Sequence, residues 1–243
     1  MTRRRFFAPP SAFNLTERTI TLTADEARHL REVLRLKPGD EVSVFDGAGR
    51  EFRARVAQAR RDVAELDLDE EIAPARPESP LQLTLAVALL KGEKFDLVVQ
   101  KATELGVTKI VPLITRYADI KLRDESDASK RVARWQRIAL EAAKQSGRAV
   151  VPKIESPTPF ESVLSPSHLR LLFSEKAGHG LTQIDTDTVT AIIGSEGGWS
   201  DEELDQARTA GAQIVTLGGR ILRAETAAIT ATALLQHRFG DLK

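Results

Sequence analysis

Two glycine-rich segments near the end of the chain carry the residue types that could do chemistry. The first, Gly194–Ser200, has three glycines in its first five residues and directly follows the apolar run TAII. The second, 218–226, follows the apolar run IVTL and contains Arg220, Arg223 and Glu225. Glycine allows positive φ and a close backbone approach to a ligand, and arginine can stabilise an anion that develops during a reaction. The two segments together indicate a ligand site with charged groups beside it.

Each segment alone also fits an ordinary structural role. Ser200 and Glu203 have the spacing of a capping box, so the first segment could be a tight turn into a helix. Glu225 could lie near the positive end of a helix that starts in the second segment. A cluster of charges at the mouth of a sheet is nevertheless costly unless its members pair with each other or with a ligand. Two such segments at one sheet edge therefore favour a binding site.

Several other chemistries lack their residues in this chain. It has no cysteine, which excludes disulfides, thiolate metal sites and cysteine nucleophiles. It has neither a phosphate-binding loop nor the dinucleotide fingerprint of an oxidoreductase, and the serine elbow of a hydrolase would need glycine in place of Ile193. The four histidines show no metal-ligand spacing. We therefore expect no metal site and no hydrolase triad.

The charge distribution is informative although the net charge is zero. The 35 basic and 35 acidic residues cancel, which by itself argues against a nucleic-acid binder. Residues 1–61, however, carry 13 Lys and Arg against 8 Asp and Glu, and an acidic stretch follows. Charge separated in this way can form a basic face. With no signal peptide and no run of about 20 apolar residues, we expect a cytoplasmic protein without a membrane partner.

The first part of the chain has the pattern of short antiparallel strands. Apolar and polar residues alternate in EVSVF and in EFRARVA, on either side of an Asp-Gly turn. This pattern predicts a small β-barrel. A short helical patch precedes these strands, with apolar residues at Ala27, Leu30, Val33 and Leu34. The proline-rich stretch 72–80 is typical of a linker, which predicts domains of 1–74 and 80–243.

After this linker, apolar strands alternate with amphipathic helices. LQLTLAVALL is a continuous apolar run, as expected for a strand covered on both faces, and a helix with a stop signal at Gly106 follows it. We predict a long helix over about 127–146, strands in AVVPKI, LRLLF, TAIIG and IVTLGG, and a closing helix. The alternation predicts an α/β domain with a mainly parallel sheet. Ligands of such sheets bind beyond the carboxyl ends of the strands, where both glycine segments lie.

Several blocks of the sequence, in order, resemble one known family. IIGSEGGWSDEEL and TLGGRILRAETAAITATALL are similar to the two C-terminal signatures of the RsmE family, bacterial methyltransferases for N3 of a uridine in 16S ribosomal RNA. RRFF, RHLREVLRLKPGDEVSVFDG, KGEKFDLVVQKATELGVTKIVPLIT and RWQRIALEAAKQSGR resemble its earlier blocks. The chain departs from the family pattern at Ser195, Gly219 and Ala224, and these positions affect the rigidity of the two segments.

The resemblance implies both a fold and a cofactor. The fold is an N-terminal PUA-like β-barrel followed by a C-terminal SPOUT α/β domain with a deep trefoil knot, in a homodimer. The cofactor is S-adenosylmethionine, with an adenine pocket lined by the apolar side chains of Leu172, Ile193, Leu217 and Ile221. The implied cofactor-binding residues are Leu172, Ile193, Gly194, Glu196, Gly197, Gly198, Leu217, Gly218, Ile221, Leu222, Arg223, Thr226 and Ala227.

The resemblance also implies roles for charged residues. Arg223 would stabilise the negative charge that spreads over uracil when N3 loses its proton. Glu225 would act as the base or orient Arg223, and we prefer the orienting role because pairing with arginine makes a carboxylate a weaker base. Ribosomal RNA, free or in the small subunit, would be bound by a patch of Arg5, Arg28, His29, Arg31 and Arg35. The helix with Lys130, Arg131, Arg134, Arg137 and Lys144 is a second candidate surface.

Two alternatives remain open from the sequence. One is a methyltransferase of the same fold with another RNA target, and the other is a non-catalytic RNA-binding factor in ribosome assembly. The intact glycines and Arg223 argue against the second. Phe6 and Phe7 could stack on RNA bases, although we expect them in the core of the barrel.

Overall fold

A computed structural model describes residues 4–165, 168–176, 178–183 and 186–243. The chain forms two compact units. The first contains Met1–Glu78 and Ala143–Val151, and the second contains Ser79–Ala142 and Pro152–Lys243. The division after Glu78 lies inside the predicted linker. The segment 143–151 groups with the first unit, which the ranges 1–74 and 80–243 do not anticipate.

A barrel-like sheet of six strands forms the first unit. Its strands are β1 (Arg5–Phe7), β2 (Phe13–Asn14), β3 (Thr19–Leu22), β4 (Glu41–Phe45), β5 (Glu51–Ala59) and β6 (Ala64–Ile72). They lie in the order β1-β4-β5-β6-β3-β2, where β1 and β4 pair in parallel and the other neighbours antiparallel. The structure thus confirms the short antiparallel strands predicted for this part of the chain.

The alternation in β5 shows why this sheet forms. Phe52, Ala54 and Val56 point into the core and are at most 2% exposed. Arg53, between them, faces outward, where its Nη1 lies 2.6 Å from Oε1 of Glu70 on β6. Full burial of a large apolar side chain contributes about 1.5–3 kcal/mol, whereas an exposed ion pair contributes at most about 1 kcal/mol. The buried face therefore fixes the register of the strand.

The helical patch after β3 differs in part from the prediction. Helix α1 (Ala24–Arg28) continues into one turn of π-helix over His29–Val33. Ala27 and Leu30 are fully buried as expected, but Val33 is 66% exposed. The amide of Leu34 bonds to the carbonyl of His29, five residues back, and this wider turn carries Val33 away from the core.

A parallel sheet of seven strands forms the centre of the second unit. Its strands are β7 (Gln82–Ala88), β8 (Lys109–Ile114), β9 (Lys153–Ile154), β10 (Thr158–Pro159), β11 (Leu169–Phe173), β12 (Thr188–Ile193) and β13 (Gln213–Val215). They lie in the order β10-β8-β7-β12-β11-β13, with β9 also beside β8. The parallel sheet is confirmed, but the strands predicted in AVVPKI and IVTLGG shrink to two and three residues.

Four helices accompany this sheet in the described part of the chain, and one of them is the long helix predicted over about 127–146, which begins at Glu125. They are α2 (Lys94–Glu104), α3 (Glu125–Ser146), α4 (Asp201–Thr209) and α5 (Ala224–Phe239). The buried face of α2 includes Phe95, Val98 and Ala102, and Gly106 beyond its end has φ +84°. Such a φ favours glycine, which explains why the helix stops there.

A buried amide fixes the far end of α5. The hydroxyl of Ser79 donates to Oε1 of Gln236 at 2.6 Å, and Gln236 is 1% exposed. A Cβ at Gly106 would lie 2.7 Å from Nε2 of Gln236, and a Cβ at Gly240 would overlap Oε1 of the same amide. The two glycines therefore provide the space that Gln236 occupies. This contact holds the helix whose first turn carries Glu225.

Candidate active site

The first glycine segment folds around side chains of the protein itself. Gly198 has φ +72°, and its amide donates to the carbonyl of Ser195 at 2.9 Å, closing a turn. A Cβ at Gly194 would lie 3.0 Å from the ring of Trp199, and one at Gly197 would lie 2.7 Å from Cβ of Tyr117. Two of its three glycines thus make room for neighbouring aromatic residues.

Trp199 connects this segment to the neighbouring strand β11. Its ring is 1% exposed, and Nε1 donates to the carbonyl of Phe173 at 2.8 Å. The next residue, Ser200, begins α4 with the predicted capping box, because its hydroxyl accepts from the amide of Glu203 and its amide donates to the Glu203 carboxylate. The capping box is confirmed, and the segment is locked at both ends.

An open cleft of about 380 Å³ lies where β11 and β13 end and the second glycine segment begins. Its lining residues are Phe173, Ser174, Glu175, Thr216, Leu217, Gly218, Arg220, Leu222 and Ala227. Four of the implied cofactor-binding residues are among them, namely Leu217, Gly218, Leu222 and Ala227. The first segment borders the cleft at Glu175, since a Cβ on Gly198 would be 3.2 Å from Oε1 of Glu175.

Three apolar residues expected to line an adenine pocket have their side chains elsewhere. Leu172 is fully buried in the core, in a cluster that includes Phe160 and Trp199. Side chains alternate along a strand, so Phe173, the next residue, faces the cleft instead. Ile193 is 2% exposed and is not part of the lining, and Ile221 is 85% exposed. The predicted lining role of these three side chains is therefore corrected.

A second, larger opening of about 1390 Å³ shares one wall with this cleft and continues along α5. Its lining adds Leu181, Thr230, Leu234, His237 and Arg238 to residues of the second glycine segment. The guanidinium of Arg238 donates to the carbonyl of Leu181 at 2.7 Å. Arg220 belongs to both openings, so cationic groups follow the path from one to the other.

Four charged residues form a cluster at the same edge of the sheet. Nζ of Lys94 lies 2.8 Å from Oε1 of Glu196 and 4.0 Å from Oε2 of Glu225. Oε2 of Glu225 is buried and accepts no hydrogen bond from the described residues. Among those residues no ion pair within 4.0 Å joins Arg223 to Glu225. The counterion of Glu225 is thus Lys94. The predicted contact was instead one in which Glu225 orients Arg223.

The electrostatics of this cluster favour the charged forms of Lys94 and Glu196. The hydrogen bond to Glu196 and the negative charges of Glu196 and Glu225 raise the pKa of Lys94. Desolvation and the positive charge of Arg223 act to lower that pKa, but their effect is smaller. Desolvation acts to raise the pKa of Glu196 and is the largest single effect. The bond and charge of Lys94, with a backbone hydrogen bond, outweigh it, so the pKa of Glu196 is lowered.

Sequence reasoning missed Lys94 and half of the cleft. Lys94 follows the end of β7 in the stretch KGEK, and that position at the carboxyl edge of the sheet was the available signal. Ser174, Glu175 and Thr216 likewise directly follow β11 and β13. Their position after the carboxyl ends of parallel strands, where ligands of such sheets bind, was the signal in the sequence.

The residues proposed for RNA binding have different surroundings in the first unit. Arg5 is 7% exposed, pairs with Glu51 at 3.1 Å and donates to the carbonyl of Arg148 at 2.9 Å. This contradicts its predicted place in a surface patch, because its charge is used inside the unit. Arg28 and Arg35 are exposed, and Arg31 is half-buried and bonded to a neighbouring glutamate.

The aromatic residues beside this patch belong to the protein core. The ring of His29 packs edge-on against Phe6 with centroids 5.9 Å apart, and Phe6 is fully buried. Phe7 is half-buried against Phe45. The expectation that Phe6 lies in the barrel core is confirmed, and stacking on RNA bases is excluded for its ring in this structure.

The second candidate surface, on α3, is largely neutralised. Nε of Arg131 lies 3.4 Å from Asp127, and Nε of Arg134 donates to Asp96 at 3.0 Å. Lys144 pairs with Glu26 at 2.6 Å. Lys130 and Arg137 are exposed and have no acidic partner in the described part of the chain. These two cations are the part of the surface that stays available to an RNA phosphate.

The described residues hold neither a metal-ligand cluster nor a membrane-spanning helix. No group of three or more His, Cys, Asp or Glu side chains comes close enough together to hold a metal ion there. In the same ranges, no helix combines the length and the apolar character needed to cross a bilayer.

Comparison with known proteins covers both units. Residues 77–236 match a family model described as an RNA methyltransferase domain, and residues 22–68 match an RNA methyltransferase PUA domain. A ribosomal RNA small subunit methyltransferase E from Synechocystis is 38% identical over 229 residues, which are 90% of this chain and 73% of the relative. The corresponding protein of Rickettsia conorii is 34% identical over 223 residues, 88% of each chain.

A solved structure agrees with these relatives. It is a ribosomal RNA small subunit methyltransferase E from Neisseria gonorrhoeae, bound to S-adenosyl methionine. It matches with a TM-score of 0.88 and 36% identity, covering 99% of this chain and 100% of that chain. The similarity therefore includes the carboxyl edge of the parallel sheet, where the cleft lies.

Proposed function

Because the chain belongs to the ribosomal RNA small subunit methyltransferase E family, we propose that it methylates N3 of a uridine in 16S ribosomal RNA, with S-adenosylmethionine as the methyl donor. The observation that carries this proposal is the cleft at the carboxyl ends of β11 and β13. Its lining residues Leu222 and Ala227 flank Arg223 and Glu225 in the chain. The cofactor in the cleft and the uracil ring at these charged residues would therefore be held side by side.

The lining of the cleft fits S-adenosylmethionine. Phe173, Leu217 and Leu222 provide apolar surface for adenine, and Ser174 and Thr216 add polar groups at the strand ends. Gly218 has φ +67° and no atom within 4 Å of an ideal Cβ, so its backbone is open to a ligand. The cofactor supplies a methyl group that is already activated by the positive sulfur. The remaining implied contacts, from Gly194, Glu196, Gly197, Gly198 and Thr226, form part of the same proposal.

The protein then has to align the uracil ring and manage its charge. Alignment of two reactants can supply about 7–11 kcal/mol of the barrier. Loss of the N3 proton leaves negative charge on O2 and O4, which the guanidinium of Arg223 would stabilise. Oε2 of Glu225 has free acceptor capacity and would take the hydrogen bond or the proton from N3. This assignment replaces the orienting role first preferred for Glu225.

RNA binding would use both units. Arg28, Arg31 and Arg35 on the PUA-like first unit, and Lys130 and Arg137 on α3, would contact phosphates. His29 would contribute through the part of its ring that Phe6 leaves uncovered. Such contacts release counterions, so binding should weaken steeply as salt is raised.

The assembly and the topology complete the proposal. The resemblance supports a SPOUT domain with a trefoil knot, working as a homodimer in the cytoplasm where small ribosomal subunits are made. Ile221 at 85% exposure and Leu234 at 40% are large apolar side chains next to the two openings. In the proposed homodimer, a second subunit would cover these side chains.

Mass spectrometry of ribosomal RNA from a deletion strain tests the function. Loss of one 3-methyluridine, restored by the wild-type gene, is the expected result. An unchanged modification map would contradict the proposed target, and loss of a different methylated nucleotide would indicate another RNA substrate. Calorimetry of the purified protein with S-adenosylmethionine separates both from a non-catalytic assembly factor, which would not bind the cofactor.

A further inference from the structure

Lys94 connects the two glycine-rich segments through their acidic residues. Its Nζ lies 2.8 Å from Oε1 of Glu196 in the first segment. The same atom is 4.0 Å from Oε2 of Glu225 in the second. The three residues are far apart in sequence, and their side chains are only partly exposed, at 34% for Lys94, 27% for Glu196 and 13% for Glu225.

The place of Lys94 in its own helix is unfavourable. It is the first residue of α2, where the positive end of the helix dipole disfavours a cation and favours a carboxylate. A residue that breaks a local preference is often kept for a function elsewhere. Here the cost is offset by two carboxylates from other parts of the chain.

The arrangement leaves Arg223 available. Lys94 and Arg223 supply two positive charges, and Glu196 and Glu225 supply two negative ones. Both carboxylates face Lys94, and in the described part of the chain Arg223 has no ion pair within 4.0 Å. Arg223 lies two residues before Glu225 at the start of the same helix. The charge of Arg223 acts on Lys94, so Arg223 lies near enough to compete for Glu225 if Lys94 is removed.

We infer that Lys94 is a positioning residue for methyl transfer, which binds Glu196 and Glu225 and thereby keeps the guanidinium of Arg223 free to face the uracil ring. The inference rests on the proposed function. Its physical basis is competition between two cations for one carboxylate, in which Lys94 wins by proximity. Without Lys94, Glu225 pairs with Arg223, and the substrate loses both groups.

Kinetics of three variants test this role. Lys94→Met should lower kcat by roughly 10-fold to 100-fold, the cost of misplacing reacting groups by about 1 Å, with a much smaller change in KM for RNA. Lys94→Arg keeps the charge and should restore most of kcat. Lys91→Met is the matched control, because Lys91 lies three residues earlier and its Nζ is 2.7 Å from Asp119 in an exposed pair. Equal kcat for Lys94→Met and Lys91→Met would overturn the inference.

A double-mutant cycle shows whether Lys94 acts through Glu225. The double variant Glu225→Gln, Lys94→Met should be no slower than the slower of the two single variants. Each substitution removes the same interaction between Lys94 and Glu225, so the second has nothing further to remove. If the losses in kcat of the two single variants multiply in the double variant, Lys94 acts independently of Glu225, and the inference fails.

A readout without turnover separates this inference from the proposed function. NMR of arginine-labelled protein, with Arg223→Lys to assign the signal, reports the Arg223 guanidinium directly. In Lys94→Met, its Nε–H should exchange more slowly with water, as expected of a group that has gained an ion pair. An unchanged signal would contradict the inference. If wild-type protein bound S-adenosylmethionine but modified no uridine, the proposed target would fail while this measurement still decided the role of Lys94.

Discussion

Replacing Gly106 by alanine tests whether the buried Gln236 amide holds α5 in place. Gly106 has φ +84°, and a non-glycine residue in that region costs about 1–2 kcal/mol. The new Cβ would lie 2.7 Å from Nε2 of Gln236, so the amide must move. Movement breaks its hydrogen bond with Ser79, which contributes about 1 kcal/mol. We expect a total loss of about 2–3 kcal/mol in the free energy of unfolding.

Gly92→Ala is a matched control for this experiment. Gly92 has φ +60° but no atom within 4 Å of an ideal Cβ, so its substitution carries the backbone cost alone. For a chain of this size, the melting temperature should fall by roughly 5–10 °C in Gly106→Ala and by about 3 °C in Gly92→Ala. In a Gln236→Ala background the obstructing amide is gone, and Gly106→Ala should then cost no more than Gly92→Ala. Equal destabilisation by the two glycine variants in the wild-type background would refute the reasoning.

Three further predictions concern the active site, RNA binding and pH. Arg223→Ala should lower kcat by about 10²–10³-fold while calorimetry finds S-adenosylmethionine affinity retained, and unchanged turnover would eliminate its role. Arg28→Ala and Arg35→Ala should each reduce the salt dependence of RNA binding by about one unit of log-log slope, measured against wild type, because each removes one phosphate contact. Burial acts to raise the pKa of Glu51, but the hydrogen bonds from Arg5 and a backbone amide and the charge of Arg5 lower it below its usual value of 4.5. A carboxyl of this kind stabilises the fold above pH 4.5 and loses that contribution as the pH falls through its lowered pKa. Glu51→Gln should therefore lower the free energy of unfolding by about 3 kcal/mol at pH 7. Measured by chemical denaturation, the stability of this variant should fall less steeply than that of the wild type as the pH is lowered below 4.5. Equal pH dependence in the two proteins would contradict the pairing of Glu51 with Arg5.

Local patterns in the sequence predicted most of the fold. The alternation of EFRARVA gave a strand with one buried face, and Ser200 with Glu203 gave a helix start, because each depends on residues a few positions apart. The end of α2 at Gly106 was equally readable. The turn of π-helix that exposes Val33 could not be predicted, because one inserted residue leaves no periodic signal in the sequence.

Distant partners explain what the sequence could not provide. Arg5 was predicted to lie in a basic surface patch, but it is buried and paired with Glu51, 46 residues later in the chain. Leu172 and Phe173 differ by a single step in strand register, and only the sheet decides which side chain reaches the cleft. Lys94 and Glu196 are 102 positions apart, so no spacing rule connects them.

The two glycine segments contribute to the site in different ways. Gly194 and Gly197 make space for Trp199 and Tyr117, so their conformational freedom serves packing within the protein. Trp199 in turn bonds to the carbonyl of Phe173, the strand residue whose side chain forms a wall of the cleft. Gly218 has no such neighbour, which leaves its backbone open towards a ligand. A side chain added at Gly194 would therefore displace Trp199, whereas one added at Gly218 would project into the cleft in which we propose that the cofactor binds.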